Sequence, residues 1–519
     1  MQYSNIKKIK VLFLYPNLSM SSMVPLGIAT ISAFMKEHGI ETTVFDTTFY
    51  DTGKNANTSK INIGQVKTFD FSERGIHVDG TDVFLDFREA VIEYKPDLIA
   101  VSMVEDVFYL GINLLRSIED LKIPNIVGGV FPTFAPEKVI AEQCVDMVCV
   151  GEGEEVLLDL CKTLQKGSSP IGISNIWCKS SNGVTKAPLR PVIDMKNLPV
   201  PDYDIFPERL LYRPMQGKVR LTIGVETQRG CPFTCAFCNS PSKKILYQES
   251  GSNFYRRKPV DMIKRELSLL VDKYKPEFVY WVADNFMAMP ESEWIELYKM
   301  YMNFRIPFWM NTRAETITRK RIEQLEEMNC MRCNIGIEHG NYNFRKDVIK
   351  RNTKDEQLIE GCKTFENTSI TVVANTIIGY PGETEALIRE SIAFNRKIAP
   401  YIDSASAFVF APYHGTPLRD KAIKEGYITD DTVVNDGTIT GSILQMPHLS
   451  SEKLRGIQRC FPLYVKLPES YLPDIKRCEE FNKETNAIYE DLLEVYQEKY
   501  LNRKTGRDWE DLHKEISVL

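Results

Sequence analysis

No apolar stretch in the sequence approaches the ~20 residues that a membrane-crossing helix needs. The amino terminus gives way to a five-residue apolar burst, Val11 to Tyr15, which Pro16 closes too soon for a secretory signal. These two absences place the expectation in the cytoplasm, away from any membrane. Net charge is only −6 over 519 residues with the signs mixed, so there is no electrostatic case for nucleic acid. There is no internal repeat and no low-complexity tract. No Gly-x-Gly-x-x-Gly opens the first helix, which disfavours a nicotinamide or flavin site. What remains is ordinary: 43% hydrophobic and 26% charged residues, the balance of a globular protein. At ~150 residues per domain the length allows three or four domains.

The chain has 12 cysteines, and three stand together in Cys231-Pro-Phe-Thr-Cys235-Ala-Phe-Cys238. Three thiolates on one tight loop can converge on an iron-sulfur cubane, because iron favours soft sulfur ligands. No fourth cysteine lies nearby, since Cys330 and Cys333 follow far downstream, so one iron is left for a ligand that is not protein. The alternatives are chance clustering and structural zinc, which normally closes on four ligands. Cys144, Cys149, Cys161 and Cys362 fall in apolar periodic segments and read as buried, reduced core thiols.

Taken in order, the chain opens with a strand at Val11 to Tyr15, a helix through PLGIATISAFMKEHG that Gly39 ends, and a strand at Thr42 to Phe45. Strand, helix, strand at this spacing means a parallel unit and a doubly wound sheet. Residues 51 to 80 are polar and read as an insertion of low information. Further strands at DLIAVSMV, NIVGG and DMVCV bring the count to five. Ligands on such sheets bind at the carboxyl ends of the strands. Those ends carry Pro25, Gly27, Ser102, Met103, Gly128, Gly129, Thr133, Gly151, Glu152 and Gly153. Glycines there allow close backbone approach to a bulky ligand, although each alone is a generic turn. A proline-rich stretch reads as a linker. A second alternating region starts at LTIGVE, leads into the cysteine loop and continues through five more strand candidates to SASAFVFAPY. Six strands alternating with helices predict a barrel with its chemistry at the carboxyl ends. Beyond about 420 the sequence turns helical and charged. The expected divisions are 1–165 for a Rossmann-like domain, 166–215 for the linker, 216–420 for the barrel and 421–519 for a helical cap.

The loop CPFTCAFC after a strand resembles the radical S-adenosylmethionine enzymes, and TRAETITRKRIEQLEEMNCMRCNIGIEHG and NTIIGYPGET look like the rest of that family's barrel. With the first domain in front, the whole resembles the subgroup carrying a cobalamin-binding domain, the class B methyltransferase-like enzymes. The resemblance implies an α/β fold: a Rossmann-like doubly wound cobalamin-binding domain, a partial (β/α)6 TIM-type barrel and a C-terminal helical region. It implies a [4Fe-4S] cluster on Cys231, Cys235 and Cys238, with S-adenosyl-L-methionine on the open iron. It implies that Phe237 contacts adenine through its backbone, that Glu338 accepts from the ribose hydroxyls and that Arg351 pairs with the carboxylate. Arg313 is a second candidate for that pairing, and Gly379 lets the adenine approach its strand. A structural Glu338–Arg313 ion pair, a solvated Arg351 and a merely turn-shaping Gly379 are the bland alternatives.

Cobalamin is implied at the strand ends of the first domain. The Asp-x-His-x-x-Gly motif that would supply a cobalt ligand is absent, and His38 reads as a helix C-terminal residue. Members of the subgroup commonly lack that ligand. The implied activity is cleavage of S-adenosylmethionine to a 5′-deoxyadenosyl radical and, with cobalamin, methylation of an unactivated carbon. The alternative is a non-methylating cyclisation, ring contraction or oxidative rearrangement, and a cobalamin sensor with a degenerate barrel is a third class. The implied partners are a small-molecule or natural-product substrate and an electron donor such as flavodoxin or ferredoxin. Tyr413 and His414, at the end of the last strand, could face substrate, or could form an ordinary turn. Asp284, beside Trp281 and Asn285, could line the pocket or cap the next helix.

Overall fold

Four consecutive apolar residues, Val11 to Leu14, are buried on both faces, the mark of a central parallel strand. The computed structural model describes residues 8–53, 56–435 and 441–501. In it these four residues lie in β1 (Lys10–Tyr15). β1 pairs in parallel with β2 (Glu41–Asp46) on one side and β3 (Leu98–Ser102) on the other. β4 (Asn125–Gly128) and β5 (Met147–Cys149) continue the parallel set, giving the order 2-1-3-4-5. The direction of winding therefore reverses between β1 and β3, the place where doubly wound sheets bind ligands. The helix Leu26–Glu37 ends as expected, with His38 Nδ1 bonded to the Phe34 carbonyl at 2.8 Å and Gly39 in the left-handed region at φ +77°.

Two further strands extend this sheet where a linker was expected. β6 (Ile176–Ser180) and β7 (Gly183–Lys186) add to β5 in antiparallel register. The reason is local: Ile176 and Cys178 alternate inward, and a two-residue connection ending at Gly183, φ +108°, closes a hairpin.

The chain divides into two compact units. The first holds the amino-terminal segment to Ala56, Arg74–Tyr212 and Ser242–Pro259, and the second holds Asn57–Glu73, Arg213–Pro241 and the rest. Part of the stretch read as a featureless insertion thus belongs with the second unit. There Gln65 Nε2 donates to the Ala407 carbonyl at 2.6 Å, and the Asn62 carbonyl accepts from Tyr489 Oη at 3.2 Å. Gly64, φ +65°, sits where a Cβ would stand 2.9 Å from Leu493.

The second unit is a curled half-barrel. After β8 (Tyr212–Met215) come six parallel strands: β9 (Lys218–Glu226), β10 (Phe278–Val282), β11 (Phe308–Arg313), β12 (Cys330–Glu338), β13 (Thr371–Ile378) and β14 (Ser404–Val409). They pair in chain order from β9 to β14, with β8 outside β9. Along β11 the residues alternate between buried Phe308, Met310 and Thr312 and half-buried Trp309, Asn311 and Arg313. The first set packs under the helices, and the second lines a polar lumen. The described residues after β14 are largely helical, as expected. Ser450 caps the helix Ser451–Lys466, whose Gln458 donates to the Ala407 carbonyl at 3.1 Å. The part of the expected helical cap beyond 501 lies outside the described residues. No helix among the described residues is long and apolar enough to cross a membrane.

Candidate active site

β9 delivers the chain to the carboxyl end of the half-barrel and into the cysteine loop. The loop is pinned by backbone bonds from Ala236 N to the Ile349 carbonyl at 2.9 Å and from Leu418 N to the Ala236 carbonyl at 3.1 Å. Cys231, Cys235 and Cys238 are half-exposed there, whereas the other nine cysteines are buried free thiols. Those nine include Cys144, Cys149, Cys161 and Cys362, read as core, and the downstream pair Cys330 and Cys333 within β12. Burial pushes the Cys231 thiol up to about 11 and Cys238 to about 12. It raises Cys235 too, against the pull of the Arg313 and Arg351 guanidiniums. Such thiols ionise on binding a metal rather than in advance of it.

The donor set fits a cluster better than a single ion. Among the described residues no three His, Cys, Asp or Glu side chains close on one metal position. A cubane takes each thiolate on a different iron, so its ligands surround it without meeting at a point, whereas zinc wants four donors converging tetrahedrally.

Around the loop stands a network of ions. Arg313, at the end of β11, donates from Nη1 to Cys235 Sγ at 2.9 Å, and its guanidinium lies 3.8 Å from the Phe233 ring centre. Its Nη2 meets Glu315 Oε1 at 2.5 Å. Glu315 also takes Arg351 Nη2 at 3.2 Å and the Thr353 hydroxyl. Arg351, 1% exposed, reaches Glu338 Oε1 at 3.2 Å through Nη1. Burial works against ionised Glu315, yet Arg351, Arg313 and Thr353 hold its carboxyl at about 2. Burial raises Glu338, with Arg351 opposing. Glu338 sits at φ +66°, where the register with β13 slips, and Gly336 leaves it room: a Cβ there would stand 2.1 Å from Glu338 Oε1.

The structure thus brings Arg313, Glu338 and Arg351 together beside Cys235. Arg351 is a buried, doubly paired cation rather than a solvated one, and Glu338 pairs with it rather than with Arg313. Glu315, Thr353 and Phe233 were missed. The spacing Arg313-Ala-Glu315 was the available signal, placing a carboxylate two residues past a strand-end arginine. Phe237 lies on the loop with its ring centre 6.3 Å from that of buried Tyr380. Gly379, φ +81°, donates its N–H to Glu383 Oε2 at 2.5 Å, and Glu383 also accepts from Tyr380 N at 3.0 Å and bonds His339 Nε2 at 2.9 Å. Its turn is therefore clamped by a fully buried carboxylate.

Asp284 and His414 flank the end of the loop. Asp284 Oδ2 accepts from Ser240 Oγ at 2.7 Å, and the His414 carbonyl accepts from Asn239 Nδ2 at 2.5 Å. Asp284 does not cap the next helix, because that helix begins at Glu291 behind Pro290. Trp281 is fully buried against Phe286, in the core. Tyr413 is half-buried, with its N–H bonded to the Ala411 carbonyl at 2.9 Å.

In the first unit the strand-end residues fall into two groups. Gly129, φ +115°, lies so close to its neighbours that a Cβ would stand 2.4 Å from the Met103 carbonyl oxygen, and one on Gly151, φ +93°, would stand 2.2 Å from Tyr247 Oη. Their close approach is to the protein itself. Thr133 Oγ1 ties the two by donating to the Gly129 carbonyl at 2.7 Å and accepting from Gly151 N at 3.0 Å. Glu152 is held by Ile193 N at 3.0 Å and by an ion pair with Arg256. Gly128 and Gly153 have Cys149 and Ile31 as their nearest contacts. Pro25 and Gly27 begin the helix after β1, and Gly27 has open space around it. Ser102 ends β3 and buried Met103 follows; Met23, just before Pro25, and Val104 and Tyr109, just after Met103, are exposed. Apolar residues are thus exposed after both β1 and β3, the strands flanking the switch point, which suits a broad ligand there.

Residues 225–394 match the radical SAM superfamily, and residues 19–160 match the B12 binding domain. The chain is 25% identical over 398 residues to an uncharacterized methyltransferase, PH0819, from Pyrococcus horikoshii, covering 76% of this chain and 83% of that one. It is 24% identical to the anaerobic magnesium-protoporphyrin IX monomethyl ester cyclase of Rubrivivax gelatinosus, covering 63% of this chain and 58% of the cyclase. In fold it resembles the radical S-adenosylmethionine methyltransferase TsrM from Kitasatospora setae, solved with cobalamin and a [4Fe-4S] cluster bound. The TM-score is 0.64 at 13% identity, covering 95% of this chain and 99% of that one.

A half-barrel with a three-cysteine loop at its mouth, in a chain that also carries a B12 binding domain, defines a radical enzyme with two organic cofactors. The chain belongs to the cobalamin-binding-domain radical S-adenosylmethionine enzymes. Its cofactors are a [4Fe-4S] cluster, S-adenosylmethionine and cobalamin.

Proposed function

We propose that this enzyme methylates an unactivated carbon of a small-molecule or natural-product substrate, with electrons from a flavodoxin or ferredoxin. The observation that carries the reading is the alignment of three quarters of the chain with a protein named as a methyltransferase, across both the B12 binding domain and the half-barrel. When bound, the cluster and S-adenosylmethionine supply a radical initiator and cobalamin a methyl carrier.

The chain's own residues have defined tasks in this reading. Cys231, Cys235 and Cys238 hold the cluster. Arg313, 2.9 Å from Cys235 Sγ, offsets the negative charge gathered there. Glu315 fixes Arg313 and Arg351 as a cationic pair, so that either can meet a carboxylate without reorganising. Glu338 offers an acceptor at the mouth for sugar hydroxyls. Phe237 and Tyr380 supply an aromatic wall that excludes water beside the loop. The first unit's open rim at Gly27, Ser102 and Val104 is the cobalamin surface. Asp284, Tyr413 and His414 border the substrate.

The similarity to the anaerobic cyclase supports a second reading, oxidative ring formation without methyl transfer. Anaerobic reconstitution, an optical spectrum and mass analysis of the S-adenosylmethionine products separate the two. Methyl transfer gives both 5′-deoxyadenosine and S-adenosylhomocysteine. Deoxyadenosine with no S-adenosylhomocysteine assigns the cyclase-like reading.

A further inference from the structure

The lumen of the half-barrel carries a ladder of side-chain amides that starts at its amino-terminal floor. There Lys60, Arg213 and Arg332 line one cavity with Trp309 and Asn334. Arg332 Nε donates to Asn334 Oδ1 at 2.9 Å, and Asn334 Nδ2 donates to Asn311 Oδ1 at 3.1 Å. Asn311 Nδ2 in turn donates to Tyr280 Oη at 3.3 Å. The ladder thus crosses β12, β11 and β10, with Asn334 and Asn311 directly opposite in register. The Tyr280 ring is held in place as well. It stacks on Trp309 with ring centres 4.2 Å and planes 19° apart, and the Arg213 guanidinium lies 4.9 and 4.8 Å from the two ring centres.

The direction of the ladder follows from its first member. A guanidinium has N–H groups and no acceptor, so Arg332 can only donate. Burial, with Arg213 adding to it, presses Arg332 down to about 10, which leaves it a cation at neutral pH. The atom of Asn334 that faces it must therefore be oxygen, and this turns the amide nitrogen toward Asn311. Asn311 must meet that nitrogen with its oxygen and offer its own nitrogen to Tyr280. The phenol oxygen thus receives an N–H, and what it has left to give is its proton. No described residue accepts that proton. Each donation polarises the next, so a phenol fed in this way is a stronger donor than one whose oxygen stands free.

We propose that the Tyr280 hydroxyl is a specificity-determining donor that selects a substrate presenting a carbonyl-type oxygen, neutral or carboxylate, inside the lumen. The inference rests on the lumen being the substrate chamber of the proposed reaction. Tyr280 is half-buried on the lumen face, with its ring fixed and only its hydroxyl hydrogen left to turn. A substrate offering an N–H or O–H at that point would meet a phenol oxygen already supplied by Asn311. Asn311 does not turn away, because the ladder behind it ends on a residue that cannot accept.

The test uses the full-length reconstituted protein, isotopically labelled at tyrosine Cζ, whose magnetic resonance signal shifts when the phenol donates. Sodium acetate and N,N-dimethylacetamide are the probes, with sodium chloride as the control at matched ionic strength. The signal missing from Tyr280→Phe is that of Tyr280. In the wild type it should shift saturably with acetate, with dimethylacetamide or with both, but not with chloride. A response to one probe alone assigns the carboxylate or the neutral carbonyl class. Asn334→Asp keeps the side chain's shape and its bond to Arg332 but removes the N–H. Asn311 then turns its nitrogen to the new carboxylate and its oxygen to Tyr280, which captures the phenol proton. The apparent affinity for the probe should fall about tenfold. Asn311→Asp captures the same proton directly and keeps the test open if Asn334→Asp does not fold. Equal responses in wild type and both variants, or none beyond chloride in the wild type, would overturn the proposal. Reductive cleavage of S-adenosylmethionine by the wild type is followed in parallel. If cleavage fails while the Tyr280 response persists, the functional reading falls and the donor stands; the reverse outcome removes only the donor.

Discussion

The mouth and the floor of the half-barrel both gather arginines, but among different neighbours. At the mouth Arg313 and Arg351 are matched by Glu315 and Glu338, and Glu315 is shared between the two cations. At the floor, the amino-terminal end of the lumen, Arg213 and Arg332 flank one indole, 4.8 and 5.7 Å from the Trp309 ring centre. A network of paired charges is rigid before anything binds, whereas cations set over an aromatic ring are held by packing as well as by charge. The same residue type is thus held by carboxylates at one end and by an aromatic ring at the other.

The comparison can be broken most forcefully at the loop. Cys235→Ala should abolish the cluster's absorption and deoxyadenosine formation together; a cobalamin sensor would keep its cobalamin response with no such loss of activity. Next, Glu315→Gln leaves Arg351 buried with a weakened partner, and the urea midpoint should report a loss of about 3 kcal/mol. A third test uses pH. Because Glu315 is held at about 2 against an ordinary 4.5, its contribution is present above 4.5 and is lost as pH falls toward 2. The stability gap between wild type and Glu315→Gln should therefore close over that interval and stay constant above it. The smallest effect belongs to the floor. Arg332→Met should change stability by less than about 1 kcal/mol, or raise it, because no ion pair with a described residue is broken. A loss as large as that of Glu315→Gln would erase the distinction between the two ends.

Much of this architecture is legible in the sequence. The six half-barrel strands stand out because each is a short β-branched or aromatic run between amphipathic helices, and the cysteine loop because its spacing is rare. Arg313, Glu338 and Arg351 follow from the resemblance of their segments to one family. Glu315 does not, since a glutamate just after a strand looks like any residue near a helix start. For the same reason Asp-Asn-Phe offers Asp284 as a cap as readily as a pocket residue, and the cap alternative fails because the helix waits until Glu291. The segment from Asn57 to Glu73 has no periodicity, and its place depends on Gln65 and Asn62 meeting distant partners. Gly129 and Gly151 show a different limit. Their positive φ was foreseeable, but whether ligand or protein fills the space depends on Met103 and Tyr247. The cationic floor draws on Lys60, Arg213 and Arg332, far apart in the chain, and only closure of the half-barrel assembles them.

The most direct test of the account is turnover with S-adenosylmethionine labelled in its methyl group, with products followed by mass spectrometry. The account predicts labelled methyl on carbon in the product, with both deoxyadenosine and S-adenosylhomocysteine released. Substrate consumed with deoxyadenosine formed but no label in any product would contradict it.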